Sequence, residues 1–226
     1  MTRPTICIKP QEFNIELLEI KELKVYKPKD TNLTIETSDI IYLNDKCELC
    51  DLYLILPEIE TYGPSPIYKF NSNIKSSENI EGYSVSYSHP DVAKVFDLIN
   101  DVCQNKLGNK YTLKPTFNYN NKVENGTKIR DELKPKVAYF KLLTFKDYKT
   151  NKLTISTQIY DKQSKQLINP IDTVSKLGLI RPMVHVQKIY FGSHGNSGYS
   201  ASVQVKLVKA YFEEKSHELP DFPDEE

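Results

Sequence analysis

Val184-His185-Val186-Gln187-Lys188-Ile189-Tyr190-Phe191 and Ala201-Ser202-Val203-Gln204-Val205-Lys206-Leu207-Val208-Lys209-Ala210-Tyr211-Phe212 read as the two strands of a hairpin, joined by Gly192-Ser193-His194-Gly195-Asn196-Ser197-Gly198. In the second strand Ala201, Val203, Val205 and Leu207 alternate with Ser202, Gln204 and Lys206, giving one apolar and one polar face. In the first strand Lys188 and Tyr190 share parity and are expected on one side. The connector is too long for a two-residue turn.

Upstream of the hairpin the same period recurs. Leu153, Ile155, Thr157 and Ile159 would form the inner face of a strand over 152–160, and Lys152, Thr154, Ser156, Gln158 and Tyr160 its outer face. The run from Val137 is also strand-like. Between 109 and 133 the chain is polar, with turn signals at Asn120-Asn121 and Asn125-Gly126, and reads as a long loop or an excursion from the sheet. One helix is expected over 90–107. Pro90 suits its first position, Gly108 its stop, and Val92, Val95, Phe96, Ile99, Val102 and Cys103 make one apolar stripe. The first 70 residues hold short apolar runs of strand length, such as Ile40 to Leu43 and Leu52 to Leu56.

These periods predict a mainly β protein with minor α: an OB-like β-barrel centred on about 135–212, an N-terminal β-rich elaboration and one amphipathic helix. Residues 1–212 are expected as one globular domain and 213–226 as an acidic disordered tail.

The formal net charge of zero hides a strong asymmetry. Residues 1–133 carry net −4, residues 134–212 net +10 and residues 213–226 net −6. A basic block of that size points to a polyanionic partner. The block also contains Tyr139, Phe140, Tyr160, Tyr190 and other aromatic residues. Lysines that follow phosphates and aromatic rings that stack unpaired bases are the requirements of single-strand binding. The candidate nucleic-acid-binding residues are therefore Tyr139, Lys141, Lys152, Tyr160, Arg181, Lys188, Tyr190 and Lys206.

Catalytic patterns are missing. There is no HExxH, no GxSxG and no GxxxxGK[ST], and His185, His194 and His217 are isolated, so no enzyme is expected and no cofactor is implied. Cys47-Glu48-Leu49-Cys50 has a spacing that can chelate zinc. A closed site needs two more ligands, no second CxxC exists, and two ordinary cysteines are the leading reading. No stretch approaches the roughly 20 apolar residues of a membrane span, and no signal-like run follows Met1. Reduced thiols and an intracellular protein are the expectation.

In its C-terminal half the chain resembles a family of conserved proteins from large nucleocytoplasmic DNA viruses. The residues that carry this are Val137-Ala138-Tyr139-Phe140-Lys141-Leu142, Leu153 to Lys162, Ile189-Tyr190-Phe191-Gly192 and Ser202 to Ala210. The resemblance implies an OB-like core and single-stranded DNA binding in viral replication, recombination or repair. It also implies a viral replication compartment in host cytoplasm or nucleus, and it identifies no individual base-contacting residue. The plan of basic sheet and acidic tail is similar to that of phage and bacterial single-strand binding proteins. Such a tail can compete for the basic groove or recruit replication proteins, and a homo-oligomer is compatible with the sequence. The alternative is a viral structural or assembly protein, a minor capsid or virion component, that binds no nucleic acid.

Overall fold

The computed structural model describes residues 3–27, 34–69, 76–124, 127–147, 150, 152–193 and 199–215. The chain is mainly β with one helix. Its elements are β1 (Thr5–Ile8), β2 (Leu18–Ile20), β3 (Lys24–Tyr26), β4 (Ile35–Leu43), β5 (Leu49–Ile55), β6 (Ile59–Tyr62), β7 (Ser65–Tyr68), β8 (Ile80–Tyr87) and α1 (Pro90–Leu107). After the helix come β9 (Thr112–Lys114), β10 (Asn121–Glu124), β11 (Thr127–Arg130), β12 (Ala138–Leu142), β13 (Thr144–Lys146), β14 (Leu153–Ile155), β15 (Gln158–Asp161), β16 (Leu167–Ile168), β17 (Leu177–Ser193) and β18 (Tyr199–Glu214).

The β17–β18 hairpin is the spine. It is longer than its neighbours, so each outer edge is filled by three short strands laid end to end. Along β17 these are β6 opposite Leu177–Ile180, β5 opposite Met183–Val186 and β4 opposite Lys188–Phe191, all antiparallel. Along β18 they are β15 opposite 209–212, β12 opposite 206–207 and β9 opposite 200–202, all parallel. The ladder between β17 and β18 slips once at Val208 and once at Gln187. These two bulges fall where one edge strand hands over to the next: Val208 between β15 and β12, Gln187 between β5 and β4. An inserted residue bends its strand and raises its twist, which re-aims each spine edge for a new partner.

The N-terminal half is therefore woven into the sheet rather than added beside a core at 135–212: β4, β5 and β6 cover one side of the spine, and β8 pairs β12. The sheet does not close into a barrel. β8 and β6 come together through Thr61, whose Oγ1 donates to the Ser86 carbonyl oxygen at 3.0 Å and lies 3.0 Å from Ser86 Oγ. No ladder joins those two strands among the described residues.

The single strand expected over 152–160 is two. The alternation of inner and outer side chains holds through both, and Thr157 is buried on the inner face with Ile159. Thr157 Oγ1 accepts from Leu143 N at 2.7 Å and donates to the Leu207 carbonyl oxygen at 2.6 Å. That pins the chain to β18 and sends β13 and β14 off as a separate two-stranded ladder. Thr157→Val keeps the shape and strands both backbone groups. It is expected to cost about 1–2 kcal/mol of stability, read as a lower urea midpoint.

The helix sits where its stripe requires. Val92, Val95, Phe96, Ile99 and Cys103 are buried in the main core, and burial pushes the Cys103 thiol up to about 12. Gly108 takes φ +61 directly after the last turn, a conformation that favours glycine. Phe96, Phe117, Phe140 and Tyr87 form a tilted and edge-on ring cluster under the helix. Part of the stretch at 109–133 is sheet: β9 joins β18, while β10 and β11 form their own hairpin. No helix among the described residues is long and apolar enough to cross a membrane. Strand β18 runs through Glu213 and Glu214, which oppose Leu179 and Gly178, so the first acidic residues of the expected tail belong to the sheet. The rest of that tail, 216–226, lies outside the described residues, as does the glycine-rich connector at 194–198.

Candidate nucleic-acid interface

The two bulges decide which side chains share a face. On β17, Arg181, Met183 and His185 point away from the buried Pro182, Val184 and Val186. Simple alternation would then turn Lys188 and Tyr190 inward. Gln187 adds the extra residue that keeps them outside, with Ile189 and Phe191 buried. On β18 the side chains of Ser202, Gln204 and Lys206 lie outside. Val208 shifts the count so that Lys209 and Tyr211 follow them, opposite Met183 and Arg181. Without the bulges the polar face would change sides twice.

One row of this face crosses five strands. Cys7 opposes Tyr53, Tyr53 opposes His185, His185 opposes Lys206 and Lys206 opposes Lys141. Tyr53 and His185 are stacked, with centroids 4.3 Å apart and planes at 11°. His185 Nδ1 lies 3.2 Å from Gln187 Nε2. Burial draws the His185 imidazole below its ordinary value, against the opposite pull of Asp51. The same cause, then the neighbouring Lys141 ammonium, draws Lys206 below the usual lysine value.

At the β12 end of this row the surface dips into a groove of about 230 Å³, lined by Lys114, Tyr139, Lys141, Ser202, Gln204 and Lys206. Tyr139 stands 65% exposed beside it. No carboxylate lines the groove, and neither Lys141 nor Lys206 has an ion pair among the described residues. Two ammonium groups directly across a ladder repel each other, and one of them is partly desolvated. An anion between them would relieve both costs. The aromatic surface beside them suits a flat, unpaired base.

Of the eight residues expected from the sequence, Tyr139, Lys141, Lys206, Lys188, Tyr190, Arg181 and Tyr160 lie on this one face. Lys188 opposes Gln204 and Tyr190 opposes Ser202. Tyr190 is 37% exposed. Arg181 and Tyr160 sit farther along the spine, both opposite Tyr211. Lys152 does not join them. It precedes β14 on the separate ladder and lines a cavity of about 590 Å³ with Lys69, Glu78, Tyr83 and Ile171. That cavity is larger than the groove but holds a carboxylate and shares no residue with it. Lys152→Ala is accordingly expected to leave oligonucleotide affinity and its salt dependence unchanged in a titration.

Sequence reasoning missed Lys114, His185 and Tyr53. Lys114 lies in a segment read as loop, His185 reads as isolated, and Tyr53 belongs to the distant N-terminal half. Only the ladder register brings Tyr53 and His185 to the row and Lys114, opposite Ser202, to the groove. The two cysteines of the CxxC separate: Cys47 is exposed on a turn at φ +58, and Cys50 is buried with its thiol pushed up, mainly by burial. No group of three or more metal-ligating side chains occurs among the described residues.

No protein-family model matches this chain, and no curated protein sequence matches it. Among solved structures, gp2.5, a single-stranded DNA binding protein encoded by bacteriophage T7, is similar over 75% of this chain and 98% of its own, at 12% identity. The TM-score is 0.34, a likeness too remote to assign fold or function.

Proposed function

We propose that this protein binds single-stranded DNA, without sequence preference, on the outer face of the β12–β18–β17 sheet. The observation that carries this is Lys141 opposite Lys206, both without an acidic partner among the described residues, in a groove flanked by the exposed ring of Tyr139. Phosphates would be held between the ammonium groups, and bases would lie on the tyrosines. The sheet would act as an OB-like barrel left open at the Thr61–Ser86 seam. The protein would serve as a binder rather than an enzyme, at single strands exposed in viral DNA replication, recombination or repair within an intracellular replication compartment. Replication proteins recruited through the acidic C-terminal residues would be its partners.

Titration of a labelled thymidylate oligonucleotide, its uridylate counterpart and a duplex, at several salt concentrations, tests this. The expected result is a clear preference for the DNA single strand and an affinity that falls steeply as salt rises. Equal affinity for duplex and single strand sinks the proposal. So does retention of the protein in nuclease-treated virus particles with no oligonucleotide binding, which is the outcome expected of a structural component.

A further inference from the structure

A second cluster of rings and cations lies on the same face, beyond Val208. Tyr160 of β15 is in register with Tyr211 of β18, their ring centroids 5.9 Å apart. Lys209 Nζ lies 4.6 Å from the Tyr160 centroid and 5.6 Å from that of Tyr211, and Lys165 Nζ lies 5.0 Å from the Tyr211 centroid. Arg181, exposed, faces Tyr211 from the other side of the ladder. Neither Lys209 nor Arg181 has a carboxylate partner among the described residues, whereas Lys165 feels the Asp161 carboxylate and donates to the Lys162 carbonyl oxygen. The carboxylates of β18 begin only with Glu213, which is already paired with Lys162 at 2.9 Å. The cluster therefore resembles the groove in its chemistry: two cations without a carboxylate partner, Lys209 and Arg181, beside tyrosine faces.

The ground between the two clusters is uninterrupted. From Lys206 to Tyr211 the outward residues of the spine are Lys209 on β18 and His185 and Met183 on β17. No acidic side chain stands among them. We infer, resting on the single-strand reading above, that the Tyr160–Tyr211–Lys209–Lys165–Arg181 cluster is a second subsite, and that one strand runs along β18 through both.

The length of that track sets a footprint. Strand residues advance about 3.3 Å each, so Lys206 and Tyr211 are separated by roughly 15 Å and Ser202 and Tyr211 by roughly 30 Å. An unstacked single strand advances roughly 6 Å per nucleotide, against 3.4 Å when stacked. Two or three nucleotides fit between the clusters, and about five engage both. A trimer, roughly 12 Å from its first to its last nucleotide at the unstacked rise, falls short of the roughly 15 Å from Lys206 to Tyr211 and cannot engage both clusters fully; a hexamer reaches both.

The test is a length series with trimer, hexamer and nonamer of thymidylate, followed by tyrosine fluorescence or anisotropy at low salt. The hexamer should bind at least about 10-fold more tightly than the trimer, and the nonamer should add only the small gain of extra positions. Lys209→Gln, at a solvent-facing position, and Tyr160→Ala should each lower hexamer affinity several-fold while leaving the trimer unchanged. Thermal melts identify any loss of fold in the tyrosine variant, and the lysine variant then decides. Hexamer and trimer binding alike, or variants that weaken neither or both equally, would overturn the second subsite while leaving the groove in place. Failure of every length to bind would overturn the single-strand reading itself.

Discussion

Replacing Lys141 and Lys206 together by glutamate is expected to abolish oligonucleotide binding at moderate salt. Each lysine would supply one charge-assisted contact, of the order of 1.5–3 kcal/mol, so the pair accounts for about 3–6 kcal/mol before the added repulsion of two carboxylates is counted. The neutral variants Lys141→Gln and Lys206→Met should each cost less. Each should also flatten the dependence of log affinity on log salt by about 0.7, the increment for one phosphate on a single strand. The decisive sign concerns stability. Lys206 is partly desolvated and faces another ammonium across the ladder. Removing its charge should therefore make the free protein more stable, by about 0.5–1 kcal/mol for a like-charged cross-strand pair. The pH dependence follows from the direction of its shift. The folded state binds the Lys206 proton less tightly than the unfolded chain, so wild-type stability rises as pH climbs from the lowered folded value towards the ordinary lysine value. Lys206→Met lacks that rise. Paired measurements of thermal midpoint and affinity check it. A variant that loses both stability and binding would make Lys206 a packing residue and remove it from the interface.

How far the sequence reached depends on which physical signal each element carried. The helix over 90–107 matches its observed span because its first-position proline, its glycine stop and its apolar stripe are all local. The β17–β18 hairpin was legible over 184–191 and 201–212, since two-residue alternation is also local, but the first residues of β17, from Leu177 to Met183, were not read as strand. The strand over 152–160 failed at one residue: Thr157 fits the inner face of an alternating strand, and only its bonds to Leu143 and Leu207 show that the chain turns there. Lys152 was misplaced for the same reason. The bulges at Gln187 and Val208 leave no compositional mark, yet they put Lys188, Tyr190, Lys209 and Tyr211 on the polar face. The sequence reading put Lys188 and Tyr190 together by parity, which is correct, but it could not tell which side they faced relative to Val184 and Val186. The weaving of β4, β5 and β6 onto β17 was out of reach because pairing across more than 100 positions has no local signature.

Tyr139→Ala is expected to weaken single-strand binding by about 1–3 kcal/mol, the range for one base stacked on an aromatic ring, with the thermal midpoint almost unchanged. The exposure of this side chain makes the two effects separable. Ala138, Phe140 and Leu142 carry the core contacts of β12, each 1% exposed, whereas Tyr139 is 65% exposed on the opposite face. Truncating it removes little buried area, so surface-level changes of within about 0.5 kcal/mol are expected in stability. Its loss should appear as reduced affinity at every salt concentration, with the slope against log salt preserved, because a ring releases no counterion. Tyr139→Phe keeps the stacking face and should bind nearly as well as the wild type. Tyr190→Ala should follow the same pattern more weakly, since that ring is 37% exposed and offers less free face. If Tyr139→Ala binds as the wild type does while the lysine variants fail, the face holds a polyanion by charge alone and unpaired bases are not what it reads. Duplex should then bind as well as single strand in the same titration.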